Sequence, residues 1–213
     1  MQWLRQVGRE AVSWLYPDRC ELCYRIARPS LCDECRSEMA PLDDAVHPYF
    51  AGNPLDLSAS LYLFEGRAAE AVKRLKYSRA TGLARPMSDI LAASLDSLSL
   101  PEFQVYVPVP IHWQRQNRRG FNQAEFLCES FPQGQVVPDL LERTRATRPQ
   151  VGLTRDQRLR NLKGAFKASP DTRGLRVLLI DDVTTSGGTA TACAEALKEE
   201  GAAFVGILTF CGE

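Results

Sequence analysis

The stretch VLLIDDVTTSGGTATACAEALKEEG, Val177 to Gly201, carries the reading of this chain. Val177 to Ile180 is a short unbroken apolar run, the pattern of a strand buried on both faces of a parallel sheet. Two aspartates follow, then threonine, serine and glycine. From Ala190 the apolar residues fall at Ala190, Cys193, Ala194 and Leu197, the spacing of one helix face, and Gly201 suits the position just past a helix end. The pattern therefore predicts strand, tight loop, helix. A second apolar run, FVGILTF from Phe204 to Phe210, completes a βαβ crossover.

In such a unit the loop opens the helix, so its main-chain N–H groups point outward with the helix dipole behind them, which makes an anion site. Gly187 and Gly188 let the backbone approach a ligand, and the hydroxyls of Thr184, Thr185, Ser186 and Thr189 can donate to phosphate oxygens. Asp181 and Asp182 would repel that anion unless they face another part of the ligand. A carboxylate accepts hydroxyl hydrogens, so the implied ligand carries a ribose beside its phosphate. A lone DD pair can also merely cap a turn, but here the whole run is in register. Neither GxxxxGKS nor GxGxxG is present. The run resembles the 5-phosphoribosyl-1-pyrophosphate (PRPP) motif of type I phosphoribosyltransferases, departing from it at Thr184, where many members carry an apolar residue.

At 213 residues, the chain is long enough for one α/β domain with a small appendage. Net charge is zero by count, composition is that of a soluble globular protein, and no apolar run is long enough to span a bilayer. MQWLRQVGREAVSWLYP mixes charges among its apolar residues. It reads as a short amphipathic helix packing Trp3, Leu4, Val7 and Trp14 and not as a signal peptide, so the expected location is the cytoplasm.

Of seven cysteines, four form CELC and CDEC: Cys20, Cys23, Cys32 and Cys35. Paired CxxC knuckles converge four thiolates on one tetrahedral ion, usually zinc. Two disulfides or a redox CxxC are the alternatives; a reducing cytosol disfavours the first, and two CxxC pairs in one small module disfavour the second. Cys128, Cys193 and Cys211 suit small apolar core positions.

PLDDAVHPYFAGNPLDL reads as a linker, SASLYLFEG as an opening strand, and Ala68 to Lys76 and Leu83 to Leu98 as helices. An apolar strand then ends in Pro108 and Pro110, a basic loop holds Arg115, Arg118 and Arg119, and a helix begins near Phe121. The order implies a zinc module at 1–41, a linker at 42–56 and an α/β domain at 57–213 with a parallel sheet and helices on both faces. From Arg143 to Lys167, eight basic residues face the single acid Asp156, a run that suits a solvated surface as well as a ligand-covering loop. His112 and His47 read as structural or solvated, leaving no evident general base.

The knuckle pair, LKY at Leu75 to Tyr77, VPVP at Val107 to Pro110, RRGFNQAE at Arg118 to Glu125, RTRATRPQVGL at Arg143 to Leu153, RLRNLKGAF at Arg158 to Phe166 and DDVTTSGGT at Asp181 to Thr189 together resemble the ComF family, also described as ComFC or GntX-type proteins. The resemblance implies a type I phosphoribosyltransferase fold, PRPP as ligand with Mg2+, and a cytoplasmic role in natural competence, handling incoming single-stranded DNA beside a ComF-type helicase partner. It leaves open an active phosphoribosyltransferase with an unknown nucleobase or amine acceptor, or a zinc-module adaptor. By position, the loop after Pro110 would meet pyrophosphate, and Arg143 to Lys163 would form a hood. Arg115, Arg118, Arg119, Arg155, Arg158 and Arg160 are then candidates for pyrophosphate or DNA phosphates, with Trp113 and Phe121 available for base stacking.

Overall fold

The computed structural model describes residues 18–49, 52–78, 80–147, 157 and 161–213, without the side chain of Arg115. The N-terminal segment with Trp3, Leu4, Val7 and Trp14, and Arg155, Arg158 and Arg160, lie outside the described residues. Strands run in chain order as β1 Val46–Pro48, β2 Leu57–Leu63, β3 Val105–Pro108, β4 Leu141–Arg143, β5 Phe166–Ala168, β6 Arg176–Thr184 and β7 Phe204–Gly212. The α-helices among the described residues include α1 Asp33–Ser37, α2 Gly66–Tyr77, α3 Ala84–Ser97, α4 Trp113–Arg119, α5 Gln123–Phe126 and α6 Gly188–Glu199.

The main sheet has the order β1-β2-β7-β6-β3. Strands β2, β7, β6 and β3 are parallel, and β1 pairs antiparallel at the edge. The two-residue strand period divides the core. Val177, Leu179, Val205 and Ile207 face one side, packing with Cys193 and Leu197 of α6. Leu178, Ile180, Leu208 and Phe210 face the other, with Val72 and Leu75 of α2 and Met87 and Leu91 of α3. Helices therefore cover both faces. Each fully buried Leu or Ile contributes about 1.5–3 kcal/mol, so the centre of the sheet is a rigid base for the loops at its carboxyl edge.

The structure differs from the sequence patterns at three places. Strand β6 does not stop at Ile180: Asp181, Val183 and Thr184 pair with Thr209, Cys211 and Gly212 of β7, because β7 itself runs two residues beyond Phe210. The basic stretch read as a loop is helix α4, which His112 caps by accepting the Gln114 N–H at 3.3 Å and Gly120 ends in the left-handed region at φ 91°. Within the proline-rich stretch read as a linker, β1 pairs Val46 with Ala59 and Pro48 with Leu57.

Candidate functional site

A cavity of about 240 Å³ opens at the carboxyl ends of β3 and β6. Its wall is the loop from Thr184 to Thr189, where Gly187 takes φ 70° as the N-cap of α6. That left-handed turn lets the chain pass from strand to helix, so the start of α6, Gly188 to Ala190, lines the cavity, an arrangement suited to an anion. Val109, Pro110, Ile111 and Arg119 form the opposite wall.

Asp181 and Asp182 lie on its floor with different neighbours. Asp182 is 1% exposed; its Oδ1 receives Lys76 Nζ at 2.7 Å, and its Oδ2 finds no hydrogen-bond partner among the described residues. Burial lowers the affinity of Lys76 for its proton, but the charges of Asp182 and Asp181 outweigh this and hold its pKa above the ordinary lysine value. By strand alternation Asp181 faces the α6 side, where burial and then the Asp181 charge push the Cys193 thiol well up. Burial, and then the charge of Asp182, push the Asp181 carboxyl up to about 7, against the opposing pull of Lys76, the Asp182 N–H at 2.8 Å and Arg119.

The arginines separate. Arg119 lines the cavity, bonded to Gln123 Oε1, with its guanidinium 5.6 Å from the centre of the Tyr77 ring. Arg118 is exposed and does not line it, and the Arg115 side chain is outside the description. RGFNQ acquires a structural meaning: Gly120 ends α4, and buried Asn122 donates to Val109 O at 3.2 Å while accepting the Ala124 N–H at 3.1 Å. The motif thereby ties α4 and α5 to the end of β3. Lys76, Tyr77, Gln123 and Arg143 also line the cavity, although the sequence marks them only as members of longer motifs. Arg143 is 8% exposed, packed 5.2 Å above the Phe166 ring. Arg143 and Phe166 pair across β4 and β5 at the two ends of the basic segment, and Leu162 and Ala165 within it are fully buried in the core. Arg145 closes its base by donating to the carbonyls of Asn161 at 3.1 Å and Lys163 at 2.8 Å.

A family model for the phosphoribosyl transferase domain matches residues 118–213. The DNA utilization protein YhgH of Escherichia coli K12 is 36% identical over 150 residues, 66% of this chain and 65% of that protein. Competence protein F of Haemophilus influenzae is 29% identical over 212 residues, 86% of this chain and 92% of its own length. YhgH of Escherichia coli O6:H1 is 30% identical over 211 residues, covering 90% of this chain and 89% of that protein. The chain belongs to the ComF family.

The ComF chain carries its second candidate site in the knuckles. The sulfurs of Cys20, Cys23, Cys32 and Cys35 all lie within 4.8 Å of one another, and Cys23 Sγ and Cys32 Sγ are 3.7 Å apart. Four sulfurs at about 2.3 Å from one tetrahedral ion stand about 3.8 Å from each other, so the cluster fits a metal ion. Every cysteine is free. Main-chain N–H groups of Leu22 and Cys35 point at Cys20 Sγ and Cys32 Sγ, each at 3.5 Å. Burial opposes ionisation of Cys20, but main-chain N–H groups outweigh it and bring the thiol down to about 6. Burial and the neighbouring thiols push Cys35 up. Crowded thiols cannot all ionise without a cation among them.

Proposed function

We propose that this ComF-family protein binds PRPP in the cleft and handles incoming single-stranded DNA in the cytoplasm during natural competence. The observation that carries the reading is the meeting of an anion-binding loop, Thr184 to Thr189, with two carboxylates and a lysine around one cavity. A phosphate suits the start of α6, and ribose hydroxyls suit Asp181 and Asp182. Pyrophosphate suits the Arg119 side, with Arg118 and Arg115 on the same helix. Among the described residues only the cysteines cluster as metal ligands. Mg2+ would therefore arrive on the pyrophosphate oxygens and not in a protein cage. Zinc is the ion for the four cysteines, given their tetrahedral fit and all-sulfur character.

The DNA part rests on the relatives' names, DNA utilization protein and competence protein, and on the basic segment anchored at the cavity edge. That segment, including Arg155, Arg158 and Arg160, would track phosphates, and a helicase partner would supply movement along the strand. No described helix is long and apolar enough to cross a membrane.

Calorimetry with PRPP and Mg2+ tests the ligand. The same mixture with single-stranded DNA, bases or amines, followed for pyrophosphate release, separates binding from transfer. Saturable PRPP binding is expected; none by the wild-type protein overturns the assignment of the cleft.

A further inference from the structure

Two carboxylates side by side beneath a phosphate loop form an electrostatic conflict. A polyanionic ligand must settle on a floor that would carry two negative charges if both were ionised. A divalent ion between carboxylate and ligand is one physical solution. The structure contains another at Asp182: Lys76 Nζ stands 2.7 Å from Oδ1, inside the cavity lining, with its side chain only 17% exposed. The ammonium arrives there because α2 is fixed through Val72 and Leu75, both fully buried against the sheet, which leaves the next residue at the cavity edge.

Oδ2 of Asp182 is buried and has no hydrogen-bond partner among the described residues. A buried acceptor without a donor is costly unless a ligand supplies one. We propose that Lys76 is a positioning residue for the sugar end of the ligand: it fixes the Asp182 carboxylate through Oδ1 and so presents Oδ2 to a hydroxyl of a pentose phosphate. With Lys76 already neutralising Asp182, Mg2+ is needed only at the pyrophosphate end. This rests on the PRPP reading above; its new element is Lys76 and the metal independence that follows from it.

The test uses ribose 5-phosphate without Mg2+, with inorganic phosphate as the probe of the loop alone. Proteins are wild type, Lys76→Met, Asp182→Asn and the double variant. Wild type should bind ribose 5-phosphate equally with and without Mg2+. Lys76→Met should weaken it by roughly tenfold to a hundredfold, the range for losing a charged hydrogen bond, while phosphate affinity stays within about twofold. The double variant should bind no more weakly than Asp182→Asn, since residues acting through one contact are not additive. If Lys76→Met does not fold, the double variant, which leaves no unpaired buried charge, still carries the comparison with Asp182→Asn. Unchanged sugar-phosphate binding in Lys76→Met, additive losses, or a strict Mg2+ requirement for ribose 5-phosphate overturns the inference alone. A wild-type protein that binds neither ribose 5-phosphate nor PRPP overturns the functional reading and this inference with it.

Discussion

Arg74, on the helix that carries Lys76, donates to the main-chain oxygen of Glu21 inside the first CxxC. The same guanidinium reaches Tyr24 Oη at 2.9 Å and lies 5.0 Å from the centre of that ring. Cys20, Leu22, Leu31 and Cys35 belong to the same core as Leu75 and Phe210. At Gly82 an added Cβ would meet Glu21 Oε1 at 2.7 Å, so the knuckles lie closely against the turn that follows α2. The four-cysteine module and the cleft are therefore joined through α2.

Replacing Cys35 with serine should consequently affect both sites. Apparent binding free energies for structural zinc run about 10–16 kcal/mol, so loss of one ligand should unfold the module and lower the thermal midpoint of the chain. Elemental analysis should give one zinc in wild type and less in the variant. PRPP affinity should fall with it, because α2 loses its support. Arg74→Ala should keep the zinc and cost about 1 kcal/mol of stability, discounted for the partial exposure of the side chain. A Cys35→Ser protein with wild-type zinc content would remove the ligand assignment.

Asp181 supplies a prediction with a definite sign. Its folded-state pKa, about 7, lies above the ordinary 3.8, so the fold favours the protonated form. Its stabilising contribution is complete below about pH 4 and is lost as pH rises through about 7. Burial is the first cause, followed by the charges of Asp182 on the same strand, Lys76 of α2 and Arg119 of α4. Ligand hydroxyls favour the ionised form, so PRPP affinity should rise over the same window and binding should release a proton. Calorimetry at about pH 6.5 in two buffers of different ionisation enthalpy measures that proton. Asp181→Asn should abolish the release and flatten the stability slope relative to wild type.

Gly187 is the backbone test of the loop. Its φ of 70° is a conformation that L side chains rarely adopt, although a Cβ there would meet nothing within 4 Å. Strain without collision makes the expected cost of Gly187→Ala about 1–2 kcal/mol, with asparagine tolerated better. The loop should also shift, lowering phosphate affinity more than stability alone explains. Urea midpoints and phosphate titrations of the two variants check this; an alanine variant equal to wild type in both would mean that the loop does not need its left-handed turn.

The sheet was legible because buried parallel strands are runs of apolar residues: Val177 to Ile180 and Phe204 to Phe210 mark the centres of β6 and β7. Their ends were not, since pairing of Asp181 and Thr184 is set by a neighbouring strand and leaves no local signal. Helix α4 was hidden for a different reason. WQRQNRR has no apolar stripe, and the caps at His112 and Gly120 define it instead of periodicity. The strand-to-helix loop before α6 and the four-cysteine cluster were legible because both patterns are local in sequence. The pairing of Lys76 with Asp182 joins segments distant in sequence, and only the packing of α2 on the sheet brings them together.

The basic segment decides between a hood over the cleft and a track for DNA. Arg143, at its start, lines the cavity and pairs with Phe166 beyond its end. The arginines exceed what one pyrophosphate can use, which favours the track. Changing Arg155, Arg158 and Arg160 to alanine should then remove phosphate contacts. For single strands the logarithm of affinity falls with the logarithm of salt at a slope of about −0.7 per phosphate contacted, so the loss of three contacts should flatten the slope by about 2. Fluorescence anisotropy with a labelled oligonucleotide over a salt series measures the slope. A hood would give the opposite pair of results, with the salt slope unchanged and PRPP turnover suppressed, and that outcome would return the segment to the transferase reading.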